Sequence, residues 1–381
     1  MEGWFNMSRI FWCKKCLNMS TRPRIEFNED QICNACQWSE EKKTLNWNDR
    51  KKELIEIINK YKKSNGQYDC IVPVSGGKDS SYVSYKLKNE YGINPLTITV
   101  KPGIVFDIGE ENLTNFISSG YDNITIRPNL KVLKQVDKIG FIEFGRPMLG
   151  WQTIIQAFIP KIAKNFNIQM IFYGENGEIE YGGSTKNKNV PYGSFEFVKN
   201  ILLSDTYNRI INSGIDNNDL EMYKFDEDII FGKSKVLSLY WSYFEPWDSY
   251  RNFKIAEKYC GLTSKKSQEG STYNDYSQND TSLYDLHTYL MYLKFGFGRA
   301  SQDAGIDIRR GAISRKEAIE LVIKYDGIFP EIYLEGYLKY YDLTKEEFDN
   351  IIDKWANKDL FFKKDGVWIP KFKVGNDFQI G

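Results

Sequence analysis

The chain alternates short apolar runs with longer segments in which apolar residues recur every three or four positions. The short runs have the length of buried strands, and the longer segments have the period of helices that bury one side. The pattern predicts strands over residues 68–74, 94–100, 123–127, 169–173 and 236–244. It predicts helices around residues 54–58 and over residues 79–91, 108–120, 130–140, 151–166, 247–259, 283–295 and 314–325, with another helix opening at 343–347.

Strands that alternate with helices predict an α/β fold, in which a parallel sheet carries helices on both faces and binds ligands at the carboxyl ends of its strands. Residues 195–230 are acidic and helix-like, which indicates an insertion near the mouth of the site. Residues 264–281 are rich in small polar side chains and include Glu269 and Gly270. They are interpreted either as a mobile loop that closes over substrate or as an exposed linker.

The charge balance limits the function classes. The chain has 51 Lys plus Arg and 51 Asp plus Glu, which argues against a protein whose main task is to bind a nucleic-acid backbone. No apolar run approaches the ~18 residues of a membrane-spanning helix, and no secretory signal is visible, so we expect a cytoplasmic protein without a membrane span. His287 is the single histidine, which excludes a multi-histidine metal centre, and it is interpreted as a packed residue rather than a catalyst.

Four of the six cysteines form two C-x-x-C pairs, Cys13 with Cys16 and Cys33 with Cys36. This spacing is typical of a four-thiolate Zn²⁺ site, which is closed and therefore structural or involved in docking. The residues between the pairs, 22–32, predict a short hairpin with its turn near residues 28–30. Cys70 and Cys260 are expected to serve packing only. We therefore predict a zinc ribbon over residues 1–45, an α/β domain over 46–250 and a mainly helical region over 251–381 that serves substrate or partner.

The first predicted strand ends in Ser75-Gly-Gly-Lys-Asp-Ser80, and a helix follows directly. A strand, a glycine turn and a helix N-terminus form an anion site, because the first-turn amides have no acceptor within the helix. The loop resembles the S-G-G-x-D-S pyrophosphate loop (PP-loop) of the N-type ATP pyrophosphatases, which split ATP into AMP and pyrophosphate. The resemblance implies that Ser75, Gly76, Gly77, Lys78, Asp79 and Ser80 bind the pyrophosphate of ATP, with Lys78 and Asp79 close to phosphate and Mg²⁺. Thr99 and Lys101 follow the second strand and are candidate adenosine contacts, or simply a polar loop end.

The fourth strand leads into an acidic segment with three glutamates, at residues 173–183. This segment is similar to the G-E-G-A-D-E-L-F-G-G segment of asparagine synthetase and the β-lactam synthetases. The alignment implies that Glu175 handles the protons of an attacking nitrogen and that Glu178 binds Mg²⁺ together with Asp79. Glu180 lies one residue beyond the position of a second acid. Asn176 and Tyr181 of the same segment are candidate substrate contacts.

The ribbon, the loop and the acidic segment together resemble the N-acetyl sugar amidotransferases of bacterial surface-polysaccharide synthesis, which include O-antigen and nonulosonic acid enzymes. The resemblance implies that an acetamido group of a UDP- or CMP-linked sugar is adenylated to an O-AMP imidate and then attacked by ammonia to give an acetamidino group. It also implies a separate glutaminase of the histidine-biosynthesis type as the source of ammonia. Arg299 and Arg309 are candidate contacts for a diphosphate or carboxylate of the sugar, or else surface ion pairs.

Two other functions compete with this hypothesis. PP-loop tRNA-modifying enzymes of the thiolase or lysidine synthetase type also adenylate a carbonyl oxygen, but sulfur transfer needs a reactive cysteine pair, and the neutral charge disfavours RNA binding. A nucleotide-sensing module without chemistry would gain nothing from the three glutamates of the acidic segment.

Overall fold

The computed structural model describes residues 9–63, 66–265 and 271–380. Its centre is a six-stranded sheet in the order β4-β3-β2-β5-β7-β6, in which β6 is antiparallel and the other neighbouring pairs are parallel. In register, Cys70 lies opposite both Pro95 and Met170, and Met170 lies opposite Leu237. The strands of the chain are β1 Arg9–Ile10, β2 Cys70–Pro73, β3 Pro95–Val100, β4 Asn123–Ile126, β5 Met170–Tyr173, β6 Tyr192–Gly193, β7 Leu237–Tyr240, β8 Phe361–Lys364, β9 Val367–Pro370 and β10 Phe378–Gln379.

Helices follow most strands and fill the C-terminal part of the chain. The first twelve are α1 Asn34–Glu41, α2 Trp47–Tyr61, α3 Lys78–Asn89, α4 Asp107–Ser118, α5 Leu130–Phe144, α6 Leu149–Asn165, α7 Gly177–Tyr181, α8 Phe195–Phe197, α9 Ser204–Ile211, α10 Glu227–Ile230, α11 Trp241–Phe244 and α12 Ser249–Cys260. The others are α13 Leu283–Phe295, α14 Arg299–Arg309, α15 Arg315–Tyr325, α16 Leu334–Tyr341 and α17 Lys345–Trp355.

Both faces of the sheet are covered, because alternate strand residues point to opposite sides. Ile71 packs into the apolar core that contains residues of α5 and α6, whereas Cys70 and Val72 pack into the core that contains residues of α2 and α3. Cys260 belongs to the second core as well. The predicted α/β fold with helices on both faces of a parallel sheet is therefore confirmed, and the packing interpretation of Cys70 and Cys260 agrees with their places.

Several local expectations are also met. The helix predicted over residues 283–295 is α13, with the same bounds. Ser314 and Glu317 form a reciprocal capping box at the start of α15, in which each side chain accepts a backbone hydrogen bond from the other residue. Such a box satisfies two amides that the first helical turn leaves without partners. In the part of the chain that the structure describes, no helix is long and apolar enough to cross a bilayer.

Other local expectations are wrong. The strand predicted over residues 236–244 ends at Tyr240 and continues as the short helix α11, since a short aromatic run does not distinguish strand from helix. The hairpin predicted over residues 22–32 reduces to one bridge between Phe27 and Cys33, although its turn falls as expected between Asn28 and Ile32. The antiparallel pair β8–β9 was not anticipated in the mainly helical C-terminal region.

The described part of the polar segment 264–281 is not an exposed linker. Ser271, Thr272, Ser277, Asn279 and Thr281 are buried. Glu269 and Gly270 lie outside the described residues. The described part of this segment therefore packs against the rest of the protein, and the interpretation of the segment as a mobile loop stays a prediction.

Candidate active site

The four cysteines of the predicted zinc ribbon meet in one buried cluster. Their sulfur atoms all lie within 4.8 Å of one another, with Cys13 and Cys36 3.9 Å apart and Cys16 and Cys33 3.7 Å apart. Four sulfurs placed tetrahedrally at about 2.3 Å from a Zn²⁺ ion are roughly 3.8 Å from one another. Backbone amides of Cys33 and Asn18 point at sulfurs over 3.3 Å, as expected around thiolates. The cluster fits a metal with four thiolate ligands.

The anion loop connects β2 to α3 as the sequence predicts. Gly76 has φ +85° and passes so close to α4 that a Cβ atom there would lie 2.5 Å from the backbone nitrogen of Leu113. Gly77 is the N-cap residue of α3 and has no side chain to accept from the first-turn amides. Those amides therefore remain available to an anion. The Ser80 hydroxyl donates to the Gly77 carbonyl over 3.3 Å and closes the turn.

A half-buried polar group forms where the loop meets the end of β5. Lys78 Nζ lies 2.5 Å from Asp79 Oδ2, and Asn252 donates to the other oxygen of Asp79 over 3.0 Å. Gly174 lets the two segments approach, because its hypothetical Cβ would lie 3.2 Å from the Cβ of Asp79. Directly after it comes Glu175, whose Oε1 accepts from the Tyr181 hydroxyl over 3.0 Å. Segments distant in sequence thus bring two carboxylates, a lysine and a tyrosine hydroxyl together beside the anion loop.

The charges of this group act on one another. Burial raises the pKa of Glu175 to about 7, and the nearby Asp79 charge adds to the effect, while Lys78 and the Tyr181 hydroxyl oppose it. Burial alone would lower the pKa of Lys78, but the charges of Asp79 and Glu175 outweigh it and raise that pKa. Glu175 is therefore ready to take up a proton near neutral pH, and Lys78 stays cationic.

The ribbon holds the acidic segment along its length. The Asn18 side chain donates to the Tyr181 carbonyl over 3.2 Å and also to the Cys33 sulfur over 3.4 Å, which joins the cluster directly to α7. Asn34 donates to the Gly183 carbonyl over 2.6 Å. The ribbon therefore positions the segment that carries Glu175, a role beyond the simple structural site that the cysteine spacing predicts.

The other two glutamates of the segment are bound to ribbon residues. Arg24 binds Glu178 through two hydrogen bonds of 2.8 and 2.5 Å, and the Ser184 amide adds a third of 2.9 Å. Glu180 accepts from Lys42 over 2.7 Å and from Trp38 over 3.3 Å. Asp79 and Glu178 line different cavities and share no hydrogen-bond partner among those described, so the geometry gives no support to a Mg²⁺ site made by this pair.

The two candidate adenosine contacts, Thr99 and Lys101, lie in different surroundings. The Thr99 hydroxyl is buried within the sheet and accepts from the Asn123 side chain over 3.1 Å. Lys101 forms an ion pair of 2.6 Å with Glu110, and its charge acts on the carboxyl of Asp280 near the loop. The roles of Thr99 and Lys101 in binding adenosine stay predictions.

Asp280 is a residue of this region that the sequence did not single out. Its carboxyl accepts from the Ser75 hydroxyl, and burial raises its pKa to about 6 against the effect of that hydrogen bond and of the Lys265, Lys78 and Lys101 charges. A phosphate bound by the loop has to compete with this carboxylate for Ser75. Its place in a polar loop more than 200 residues from Ser75 gave no sequence signal.

The remaining substrate candidates differ in their surroundings. Arg299 forms a buried ion pair of 2.9 Å with Asp303, and its charge acts on Lys78 and Tyr181. Arg309 donates to the Glu180 carbonyl over 3.0 Å and lies beside the cysteine cluster. Neither arginine is a surface ion pair. Asn176 caps α7 by accepting from the Glu178 amide, which occupies its side-chain oxygen.

Helix α7 separates two cavities. The smaller has a volume of about 320 Å³ and is lined by Asp79, Glu175, Glu180 and Tyr181 together with Arg309. The larger has a volume of about 960 Å³ and includes Glu178 and His287 in its wall. The candidate active site thus opens on one side of α7, while a second and larger space lies on the other.

The fold and the site define an α/β protein with a Ser-Gly-Gly-Lys-Asp-Ser anion loop, a half-buried acidic group and a tetracysteine cluster. Residues 270–374 match the family described as LPS biosynthesis protein WbpG-like, C-terminal domain. The matched segment contains α13 to α17 and the β8–β9 pair. The match confirms, for this part of the chain, the resemblance to proteins of bacterial surface-polysaccharide synthesis.

Among curated proteins, uncharacterized protein MJ1599 of Methanocaldococcus jannaschii is 35% identical over 104 residues, which cover 27% of this chain and 37% of that protein. The chain therefore matches little more than a third of that relative's length. The structure of the U34-tRNA thiolase NcsA from Methanococcus maripaludis with its 4Fe-4S cluster shares 14% identity and a TM-score of 0.32, covering 70% of this chain and 79% of that chain. A predicted subunit of a tRNA methyltransferase from Methanocaldococcus jannaschii shares 20% identity and a TM-score of 0.23, covering 35% and 61%.

Proposed function

We propose that this protein is an AMP-forming, ATP-dependent amidotransferase of bacterial surface-polysaccharide synthesis. It converts an acetamido group of a nucleotide-activated sugar into an acetamidino group, using ammonia from a separate glutaminase. The observation that carries the proposal is the group formed by Lys78, Asp79, Glu175 and Tyr181 beside the anion loop. The WbpG-like C-terminal domain supports the polysaccharide context.

The proposed reaction needs activation of a poor electrophile. An amide carbonyl resists attack by ammonia until its oxygen becomes a good leaving group. Attack of that oxygen on the α-phosphorus of ATP forms a new P–O bond, releases pyrophosphate and leaves an O-AMP imidate. Lys78 and the α3 amides would stabilise the negative charge that develops on the departing pyrophosphate. Mg²⁺ would offset further phosphate charge, and Asp79 is the carboxylate beside the loop that would bind it.

Glu175 fits the second half of the reaction. Ammonia adds to the imidate carbon, must lose a proton, and AMP then leaves with the former amide oxygen. A carboxylate with a pKa of about 7 can accept this proton at neutral pH. The Tyr181 hydroxyl orients the carboxylate through its hydrogen bond. We place the enzyme in the cytoplasm, where ATP, sugar nucleotides and a partner glutaminase are present.

Sulfur transfer to tRNA has weaker support. Burial raises the pKa of the Cys70 thiol, and burial raises the pKa of Cys260 to about 11, so neither thiol is a reactive nucleophile. The four remaining cysteines are clustered as metal ligands would be.

Phosphorus NMR of the reaction products tests the proposal. With ATP, Mg²⁺, ammonium and a diacetamido sugar nucleotide, we expect AMP and pyrophosphate in equal amounts. Asp79→Asn should abolish both products, whereas Asp228→Asn on the exposed end of α10 should not. Formation of ADP and phosphate would refute the assignment of the loop.

A further inference from the structure

The cavity of about 960 Å³ is not used by the proposed chemistry on the other side of α7. Its volume is at the upper end of the range of about 300–1,000 Å³ that small-molecule sites occupy. Its wall includes the turn between α5 and α6, one face of α13 and residues 22–24 of the ribbon. A ligand larger than a simple sugar would fit this space.

The charge of the cavity wall is strongly one-sided. Among the described residues of the wall, the single acidic one is Glu178, which is already bound by Arg24. The smaller cavity is instead balanced, with four basic and four acidic residues in its wall. The basic residues of the larger cavity are Arg22, Arg24, Arg146, Lys294 and Lys354.

Arg146 and Lys294 are among the cations of this wall that have only neutral partners in the described part of the chain. Arg146 donates to the Leu202 carbonyl and to the Gln152 side chain, each over 3.1 Å. Lys294 donates to the carbonyls of Phe144 and Gly145 over 3.1 and 3.3 Å. Burial lowers the pKa of Arg146 to about 10 and, with the Arg146 charge, that of Lys294 to about 8. Cations held partly out of water without counter-ions are costly, and a bound anion would reduce that cost.

The rest of the wall suits a ring-bearing ligand close to the active site. Aromatic side chains of Trp151, Phe297 and Trp355 line the cavity. Tyr284 also lines it, and the charge of Glu175 acts on the Tyr284 hydroxyl, so this wall lies within electrostatic range of the proposed base. A ligand that is held here by its anionic end can extend its neutral end toward Glu175.

We propose that this cavity binds the sugar substrate and that Arg146 and Lys294 bind its phosphate or carboxylate groups. The inference rests on the proposed function, whose substrate carries such groups, and it places the substrate on the side of α7 opposite to the smaller cavity. Neither Arg146 nor Lys294 stands out in the sequence as a binding residue.

Isothermal titration calorimetry with two probes tests the site and separates the two anions. UDP-N-acetylglucosamine carries a diphosphate without a carboxylate, and N-acetylneuraminic acid carries a carboxylate without a phosphate. Lys294→Gln should weaken binding of the recognised probe by about ten- to hundredfold, the usual worth of a hydrogen bond to a charged group. The matched control is Lys363→Gln, since Lys363 forms an ion pair with Asp353 outside the cavity wall. Arg146→Gln is a second variant, and melting curves establish that each variant is folded.

A loss confined to UDP-N-acetylglucosamine identifies the diphosphate as the recognised group, and a loss confined to N-acetylneuraminic acid identifies the carboxylate. The proposal is overturned if neither probe binds, or if folded Lys294→Gln and Arg146→Gln bind as Lys363→Gln does. If Lys294→Gln releases AMP with an unchanged KM for the sugar nucleotide, the binding site is refuted and the proposed function stands. If binding of a probe depends on Lys294 but the protein releases no AMP, the proposed function is refuted and the binding site stands.

Discussion

Replacing Glu175 by glutamine should make the unliganded protein more stable at pH 8. Burial and the Asp79 charge raise the pKa of Glu175 from an ordinary value of 4.5 to about 7, so the folded protein holds this proton more tightly than the unfolded chain. The free energy of unfolding therefore falls as pH rises from about 4.5 to about 7. Glutamine keeps the shape and the acceptor for Tyr181 without the charge, and it removes this loss.

The pKa difference sets the size of the effect. It corresponds to about 3 kcal/mol at pH 8 and about 1 kcal/mol at pH 5, where the folded protein is protonated and the unfolded chain only partly ionised. Urea denaturation of both proteins at the two pH values measures it. The variant should gain stability at pH 8 and much less at pH 5.

Glu178→Gln is the matched control, with the opposite sign. Burial alone would raise the pKa of Glu178, but the hydrogen bonds from Arg24 and the Ser184 amide outweigh it and lower that pKa. Its ionised form therefore stabilises the fold above the pKa of the unfolded chain, and this contribution is lost as pH falls through the folded value. Glu178→Gln should destabilise the protein at pH 8. If Glu175→Gln were also destabilising at pH 8, the burial of an unfavourable charge at Glu175 would be refuted.

Three further results are expected. Elemental analysis should find one zinc per chain. Cys33→Ser should lose the metal and increase hydrogen exchange in residues 175–183, because Asn18 joins the cluster to that segment. Unchanged exchange after metal loss would contradict this link. Amination at saturating substrate should rise about tenfold from pH 6 to pH 8 as Glu175 ionises, and Glu175→Gln should be slower by about 10²–10⁴-fold and lose that dependence; a flat wild-type profile would exclude Glu175 as the base. The purified chain should use ammonium but not glutamine until a separate glutaminase is added, and equal rates with both would show that no partner is required.

The sequence predicted the parts of the site that depend on local patterns. The anion loop follows from a strand, two glycines and a helix start, and the cysteine cluster follows from the paired C-x-x-C spacing. The positions of strands β2 to β5 follow from their apolar runs. These features are encoded within a few neighbouring residues, so no tertiary information was needed.

The orientation of the glutamates could not be predicted in the same way. Glu175 and Glu178 are three residues apart, but one accepts from Tyr181 near Lys78 and the other is bound by Arg24 of the ribbon. That difference depends on where the ribbon packs against α7, which no local pattern records. The cationic cavity has the same origin, because Arg146 and Lys294 meet only when α13 packs beside the turn between α5 and α6.

The fate of the amide oxygen tests the central claim most directly. A sugar nucleotide with ¹⁸O in its acetamido carbonyl is incubated with the chain, ATP, Mg²⁺ and ammonium, and the released AMP is analysed by mass spectrometry. Adenylation of the amide oxygen predicts that AMP carries the label, one ¹⁸O for each acetamidino group formed. Unlabelled AMP, with the label retained in the sugar or released as water, would contradict the account.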